Sequence, residues 1–138
     1  MYYFLDIDGV LNRESDWRRP FILNPECVKN FMNLIECDSE PYVIISSTWR
    51  QGGDTIRDAF MEYGIHIDGT TPISNKSRQE EIEYYIRRNG IRKYIVIDDD
   101  ASLFPRATEI NFYLTDYKMG LSESDVKKLV KMIKTMKG

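Results

Sequence analysis

Acidic residues follow two of the short apolar segments in this sequence. Asp6 and Asp8 come after the first segment, and a run of three, Asp98, Asp99 and Asp100, comes after a later one. If these segments are neighbours in the fold, their carboxylates meet, and so much negative charge is unfavourable unless a cation lies among it. Because no histidine or cysteine stands nearby, the oxygen donors favour Mg²⁺, a hard cation that serves phosphate chemistry.

Hydroxyl groups follow a third apolar segment, at Ser46, Ser47 and Thr48. In a parallel sheet these hydroxyls would lie beside the carboxylates and the cation, an arrangement that is compatible with phosphate chemistry. We therefore interpret the three segments as parts of one phosphate-handling site.

The hydrophobic pattern predicts the strands that position these residues. Short apolar runs that end abruptly in polar residues are typical of buried strands. The predicted strands are Tyr2 to Leu5, Tyr42 to Ile45, Tyr94 to Ile97 and Ile110 to Leu114, with a further short strand at Ile65 to Ile67.

Segments with apolar residues at three- and four-residue intervals separate these strands and predict helices. The predicted helices are Pro25 to Cys37, Asp54 to Tyr63, Ser77 to Asn89 and Ser122 to Met136. This alternation predicts an α/β fold of three layers, α/β/α, with a mostly parallel, Rossmann-like sheet. In such a sheet the ligand crevice lies beyond the carboxyl ends of the strands, where the acidic and hydroxyl residues stand.

Length and composition predict one domain over residues 1–138, since 42% of the residues are hydrophobic and can form a core. The net charge of -3 gives no overall basic field of the kind that marks a nucleic-acid-binding protein.

The first apolar run meets a charge at Asp6, too early for a signal peptide or a membrane span. We therefore expect a cytoplasmic protein without membrane association.

The first acidic motif has the form of a known signature. Residues 4–11, Phe-Leu-Asp-Ile-Asp-Gly-Val-Leu, resemble the first motif of the haloacid dehalogenase-like (HAD) hydrolases, in which a strand ends in Asp-x-Asp-Gly. The resemblance implies that Asp6 is a nucleophile that forms an aspartyl-phosphate. It also implies that Asp8 is the general acid and then the general base.

Two further HAD motifs have counterparts in the same order. Ser46 resembles the family's serine or threonine that hydrogen-bonds the phosphoryl group, and we expect Ser47, the alternative, to contact the substrate. Asp98 and Asp99 resemble the acidic pair that binds Mg²⁺ together with Asp6 and the backbone carbonyl of Asp8.

The remaining motif is a cation that balances the charge of the nucleophile and the phosphate. Lys93 begins the strand that ends at Asp98, so at about 3.3 Å per residue it lies roughly 17 Å from the site. Lys76 opens the preceding helix, whose N-terminus returns to the carboxyl edge of the sheet, and is the expected residue. Arg78 is the second choice and an expected substrate contact.

The spacing of the motifs predicts a site without a large cap domain. Residues 11–24 are too few to fold as a domain, and one helix and a short strand occupy the gap between the second and third motifs. Several segments, among them Ser47 to Arg50 and residues 114–121, resemble the phosphatase-like HAD domains of RNA-repair (Swiss Army Knife) proteins. This resemblance implies a phosphorylated substrate such as a nucleotide or an RNA or DNA end.

Aromatic and basic residues stand together in two predicted loops, as Trp17 with Arg18 and Arg19, and as Trp49 with Arg50. Indole rings stack on bases and guanidinium groups bind phosphates, so these loops suit such a substrate. We expect Arg50 to contact it.

Two other functions are compatible with parts of the pattern. A non-catalytic adaptor could keep the fold and the metal site, but it has no chemical need for both Asp6 and Asp8. A phospho-accepting receiver domain places its acidic pair after the first strand and its phosphorylated aspartate on a middle strand, whereas here Asp-x-Asp-Gly comes first. The sequence leaves the particular phosphate ester and the oligomeric state open.

Overall fold

A five-stranded sheet forms the centre of the fold in the computed structural model, which describes residues 1–20 and 22–136. The strands are β1 (Tyr2–Leu5), β2 (Tyr42–Ile45), β3 (Gly69–Thr70), β4 (Tyr94–Asp98) and β5 (Phe112–Leu114). Their order across the sheet is β3-β2-β1-β4-β5, and all four pairings are parallel. The predicted α/β fold is confirmed.

The described residues form four α-helices: α1 (Pro25–Glu36), α2 (Asp54–Met61), α3 (Arg78–Asn89) and α4 (Glu123–Thr135). The first three lie between successive strands, whereas α4 follows β5. The helix bounds lie close to the predicted ones because local side chains cap the helices. Asn24 accepts the backbone N–H of Glu26 at the start of α1, and Ser77 accepts that of Glu80 at the start of α3. Gly90 ends α3 in the left-handed conformation.

Alternate residues of β1, β2 and β4 face opposite helix layers. Tyr3 and Leu5 of β1 pack into one core with α1, α2 and α4, whereas Phe4 packs into a second core with Ile82 of α3. The sheet is therefore covered on both faces, which gives the three-layer arrangement and leaves the ends of the strands as the place for a site.

The predicted strand at Ile65 to Ile67 is wrong, because the third strand begins only at Gly69. Ile65 and Ile67 are buried in the larger core without pairing in the sheet. The Asp68 carboxylate accepts the backbone N–H of Val43 at 2.8 Å, and it thereby takes the β2 donor that a longer ladder would use.

No inserted domain covers the carboxyl edge of the sheet within the described ranges. The segment after β1 holds a 3₁₀ turn at Glu14–Asp16, and the segment from β2 to α3 holds a 3₁₀ turn at Thr48–Gly52, α2 and β3. The two turns form a low rim at the edge. None of the described helices has the length and apolar character needed to cross a bilayer.

Candidate active site

The three central strands bring the predicted motifs together. β1 pairs with β2 and β4 in a register that places Asp6, Ser46 and Asp98 side by side at the carboxyl edge. All three are buried. The sequence prediction of a convergent site at this edge therefore agrees with the fold.

Three carboxylates form a cluster around Asp6. Asp6, Asp98 and Asp99 each offer an oxygen, and these oxygens all lie within 4.8 Å of one another. Gly9 permits the close approach of Asp99, since its φ is +82° and a Cβ at this position would lie 2.3 Å from the Asp99 Oδ2. Asp100 is not part of the cluster and instead caps a short 3₁₀ turn by accepting the backbone N–H of Ser102 at 3.0 Å.

The cluster is electrostatically unfavourable by itself. Burial, followed by the negative charge of Asp98, raises the pKa of Asp6 well above its usual range. Burial also raises the pKa of Asp98 to about 6, although Arg78 acts in the opposite direction. A divalent cation would relieve both effects, and the oxygen-only donor set of Asp6, Asp98 and Asp99 fits Mg²⁺.

We expect Mg²⁺ to raise the melting temperature by roughly 5 °C or more at pH 7.5, and by less at pH 5. Asp98 binds its proton more tightly in the folded state, where its pKa is about 6, than in the unfolded state, where it is about 3.9. The stability that this bound proton gives the metal-free protein is therefore fully present below about pH 4 and is lost as the pH rises through about 6. Mg²⁺ accordingly has less to add at pH 5 than at pH 7.5. Calorimetry with and without Mg²⁺ measures both shifts.

The Asp99→Asn variant provides the control for this prediction. It removes one charge from the cluster, so it should raise the melting temperature of the metal-free protein at pH 7.5 and reduce the Mg²⁺-induced rise. An undiminished rise in this variant would place the bound metal elsewhere.

Arg78 is the cation that lies beside Asp6. Its Nη1 lies 3.3 Å from the Asp6 Oδ1 and 3.1 Å from the Asp98 Oδ2. The expected placement of Lys76 at this point is wrong, because its side chain is 66% exposed and its ammonium lies 3.9 Å from the Glu80 carboxylate. Ser77 caps α3, so the helix begins at Arg78, and Lys76 precedes it on the outside.

The sequence matches the model of one protein family, described as the HAD domain in Swiss Army Knife RNA repair proteins, over residues 2–126. The chain belongs to this family. The matched range includes every carboxylate of the cluster as well as Ser46 and Arg78. The comparisons with curated proteins and with solved structures found no match. The chain is thus a HAD-type phosphohydrolase domain in its general class.

The two serines after β2 have different surroundings in this HAD domain. The Ser46 Oγ is buried and has no hydrogen-bond partner, whereas the Ser47 Oγ accepts the backbone N–H of Trp49 at 3.1 Å. A buried hydroxyl without a partner is unfavourable unless a ligand provides one. Ser46 is therefore the better candidate for a phosphoryl contact, and Ser47 starts the 3₁₀ turn.

Arg50, an expected substrate contact, makes its observed contacts with the protein itself. Its guanidinium pairs with Glu81 at 2.8 Å and donates to the backbone carbonyl of Ser46 at 2.7 Å. The Arg50 and Glu81 side chains are only 7% and 4% exposed. This buried ion pair ties the end of β2 to the first turn of α3, which carries Arg78.

Asp8 is held beside the cluster by residues whose role the sequence analysis missed. The Asp8 Oδ1 accepts hydrogen bonds from the Asn12 Nδ2 at 2.9 Å and from the Trp49 Nε1 at 3.1 Å. Asn12 is 1% exposed although it is an amide in a loop. The signal in the sequence was a polar residue directly after the apolar Val10 and Leu11, at a spacing of four from Asp8.

Proposed function

We propose that this HAD domain hydrolyses phosphate monoesters in a Mg²⁺-dependent reaction through an aspartyl-phosphate on Asp6. The observation that carries the proposal is the environment of Asp6, a buried carboxylate at a strand end that lies beside the Arg78 guanidinium and beside two acidic residues, Asp98 and Asp99. The separate anchoring of Asp8 argues against an adaptor, because a metal-binding module has no need to orient a second carboxylate outside the cluster.

In the first step an Asp6 carboxylate oxygen forms a bond to phosphorus while the bond from phosphorus to the leaving oxygen breaks. The electron pair of the broken bond stays on the leaving oxygen, which takes a proton from Asp8 and departs as an alcohol. Arg78 neutralises charge on Asp6 and on the phosphoryl group, and Ser46 donates its hydroxyl to a phosphoryl oxygen.

In the second step Asp8, now ionised, takes a proton from a water molecule as the water oxygen bonds to phosphorus. The bond from phosphorus to Asp6 breaks, and its electron pair returns to the carboxylate. Phosphate leaves, and both aspartates regain their starting protonation. Mg²⁺, held by Asp6, Asp98, Asp99 and the Asp8 carbonyl, would supply positive charge for the phosphoryl oxygens.

Phosphate release from p-nitrophenyl phosphate should require Mg²⁺. We expect excess EDTA to lower the rate at least about 100-fold and added Mg²⁺ to restore it, because the negatively charged cluster otherwise repels the substrate. The measurement is nitrophenolate absorbance with purified protein. Undiminished turnover in excess EDTA would contradict the metal-dependent mechanism.

We further propose that the phosphate belongs to a nucleotide or to the end of a nucleic-acid strand. The family description names RNA repair. The segment that follows the 3₁₀ turn at Glu14–Asp16 carries exposed Arg18 and Arg19, together with Trp17, whose side chain is also exposed. Trp17 and Arg19 line a cavity together with Asp8. An uncapped site gains affinity from what the substrate offers beyond its phosphate, and a strand end offers further phosphates and bases.

A phosphorylated oligonucleotide should therefore give a kcat/KM about tenfold or more above that of ribose 5-phosphate. Raising salt should weaken the oligonucleotide reaction more, because strand phosphates bound by arginines release counterions. Replacing Arg18 by alanine should reduce this preference and leave the sugar phosphate reaction little changed. A higher kcat/KM for the sugar phosphate would contradict the nucleic-acid substrate while leaving the phosphatase chemistry in place.

A further inference from the structure

We propose that the cavity between Trp17 and Trp49 receives the leaving group of the substrate, and that Asn12 and Trp49 are positioning residues that orient Asp8 towards it. The inference rests on the proposed phosphohydrolase function. The residues around Asp8 indicate from which side of the site the alcohol departs and to which chemical class that alcohol belongs.

The cavity has a volume of about 420 Å³ and lies between the loop after β1 and the 3₁₀ turn after β2. Its lining includes Asp8, Trp17, Arg19, Thr48, Trp49 and Gln51. Asp8 is the one carboxylate of the described site that lines this cavity, since Asp6, Asp98 and Asp99 do not. Because Asp8 supplies the proton for the leaving oxygen, the leaving group must lie on the side of Asp8, which is the side of the cavity.

The two hydrogen bonds to Asp8 select one of its oxygens. Asn12 and Trp49 both donate to the Oδ1, at 2.9 and 3.1 Å. An oxygen that accepts two N–H groups is poorly placed to donate a proton as well. The Oδ2 is therefore the oxygen that exchanges a proton with the leaving group, and the two donors fix the carboxylate plane.

The orientation of the Asn12 amide is itself determined by its partners. Its Oδ1 accepts the backbone N–H of Gly9 at 2.9 Å and the indole N–H of Trp17 at 2.8 Å, and its Nδ2 also donates to the Ile22 carbonyl at 2.8 Å. Since Gly9 and Trp17 offer only N–H donors here, a flipped amide would set donor against donor. Asn12 thus always presents an N–H to Asp8.

Trp17 belongs both to the cavity wall and to this hydrogen-bond network, because it lines the cavity and its indole N–H donates to the Asn12 Oδ1. Its ring stacks against Tyr117, with centroids 5.9 Å apart and planes 26° apart. Tyr117 does not line the cavity, so it supports the indole from outside. Aromatic walls with the polar Arg19 and Gln51 suit a flat leaving group with polar edges, and we assign a nucleoside to this place.

The positioning role is tested with two substrates that share one ring, phenyl phosphate and p-nitrophenyl phosphate. Phenoxide is the stronger base and needs the proton from Asp8, whereas nitrophenolate leaves without it. For Trp49→Phe, and for Trp17→Phe, which keeps the stacked ring, the ratio of kcat/KM for phenyl to nitrophenyl phosphate should fall about tenfold. Because kcat/KM covers only the steps up to release of the alcohol, hydrolysis of the intermediate does not affect this ratio.

Tyr42→Phe is the matched control, because it removes one aromatic hydrogen-bond donor, to Glu40, at the opposite end of β2. It should leave the ratio unchanged. An unchanged ratio in active Trp49→Phe and Trp17→Phe variants would overturn the positioning role. If the wild-type protein hydrolysed neither ester, the proposed function would be overturned instead.

Occupancy of the cavity is tested without catalysis. The chain contains two tryptophans, so Trp49→Phe leaves Trp17 as the sole indole emitter. Titration with adenosine, which carries no phosphate, should change the Trp17 emission in a saturable way, and ribose should not. Activity of this variant on p-nitrophenyl phosphate shows that it is folded. No change with adenosine in the active variant would overturn the assignment of a nucleoside to the cavity.

Discussion

Replacing Asp6 with asparagine should lower kcat on the order of 10⁴-fold or more and leave the fold intact. Asparagine has nearly the shape of aspartate, but its amide cannot form the covalent intermediate. The change also removes one negative charge from a buried cluster, so the metal-free protein should melt no lower than the wild type. Initial rates and thermal melts measure the two effects separately.

Asp100→Asn is the matched control, because it makes the same chemical change two residues after Asp98. Asparagine caps a helical turn nearly as well as aspartate, so this variant should keep its activity within about threefold. Acid quenching after addition of ³²P-labelled substrate should trap label on the wild-type protein and not on Asp6→Asn. Near-normal turnover by a contamination-free Asp6→Asn protein would remove Asp6 as the nucleophile.

The parts of the fold that depend on local pattern were predictable from the sequence. Each apolar run buries alternate side chains against two helix layers, so β1, β2 and β4 were recognisable without knowledge of their partners. The site followed from them, because parallel strands in register bring Asp6, Ser46 and Asp98 to one edge. Strand positions and the approximate place of the site thus need only short-range information.

The errors concern residues whose environment is set by distant partners. The sequence suggests that Trp49 and Arg50 are exposed residues beside the site. In the structure the Trp49 indole N–H donates to Asp8, Arg50 pairs with Glu81, and both side chains are buried. Asn12 resembles an ordinary loop residue in the sequence, but in the structure it accepts a hydrogen bond from Trp17 and donates one to Asp8. The partners in these pairings are 4 to 41 residues apart in the chain, and hydrophobic periodicity carries no information about them.

The choice between Lys76 and Arg78 failed for a more local reason. Both lie near the start of α3, and only the cap residue decides which of them belongs to its first turn. Ser77 accepts the N–H of Glu80, so Arg78 is the first helical residue. The Arg50–Glu81 ion pair then holds this turn against the end of β2. The position of the charge-balancing cation is therefore a property of a cap and a buried ion pair together.

Arg78→Ala should accordingly lower kcat/KM about 10²- to 10³-fold, because it loses one charged contact to the transferred group. Lys76→Ala should change kcat/KM by less than about threefold. Arg78→Lys should fall between wild type and alanine, since lysine keeps the charge without the planar guanidinium that reaches both Asp6 and Asp98. Arg78→Ala also leaves two buried carboxylates without their partner, so its metal-free form should melt below the wild type and gain more from Mg²⁺. Steady-state kinetics of the three variants, with melts in EDTA and in Mg²⁺, measure these effects. A loss in Lys76→Ala as large as that in Arg78→Ala would return the role to Lys76, and it would require the start of α3 to rearrange when substrate binds.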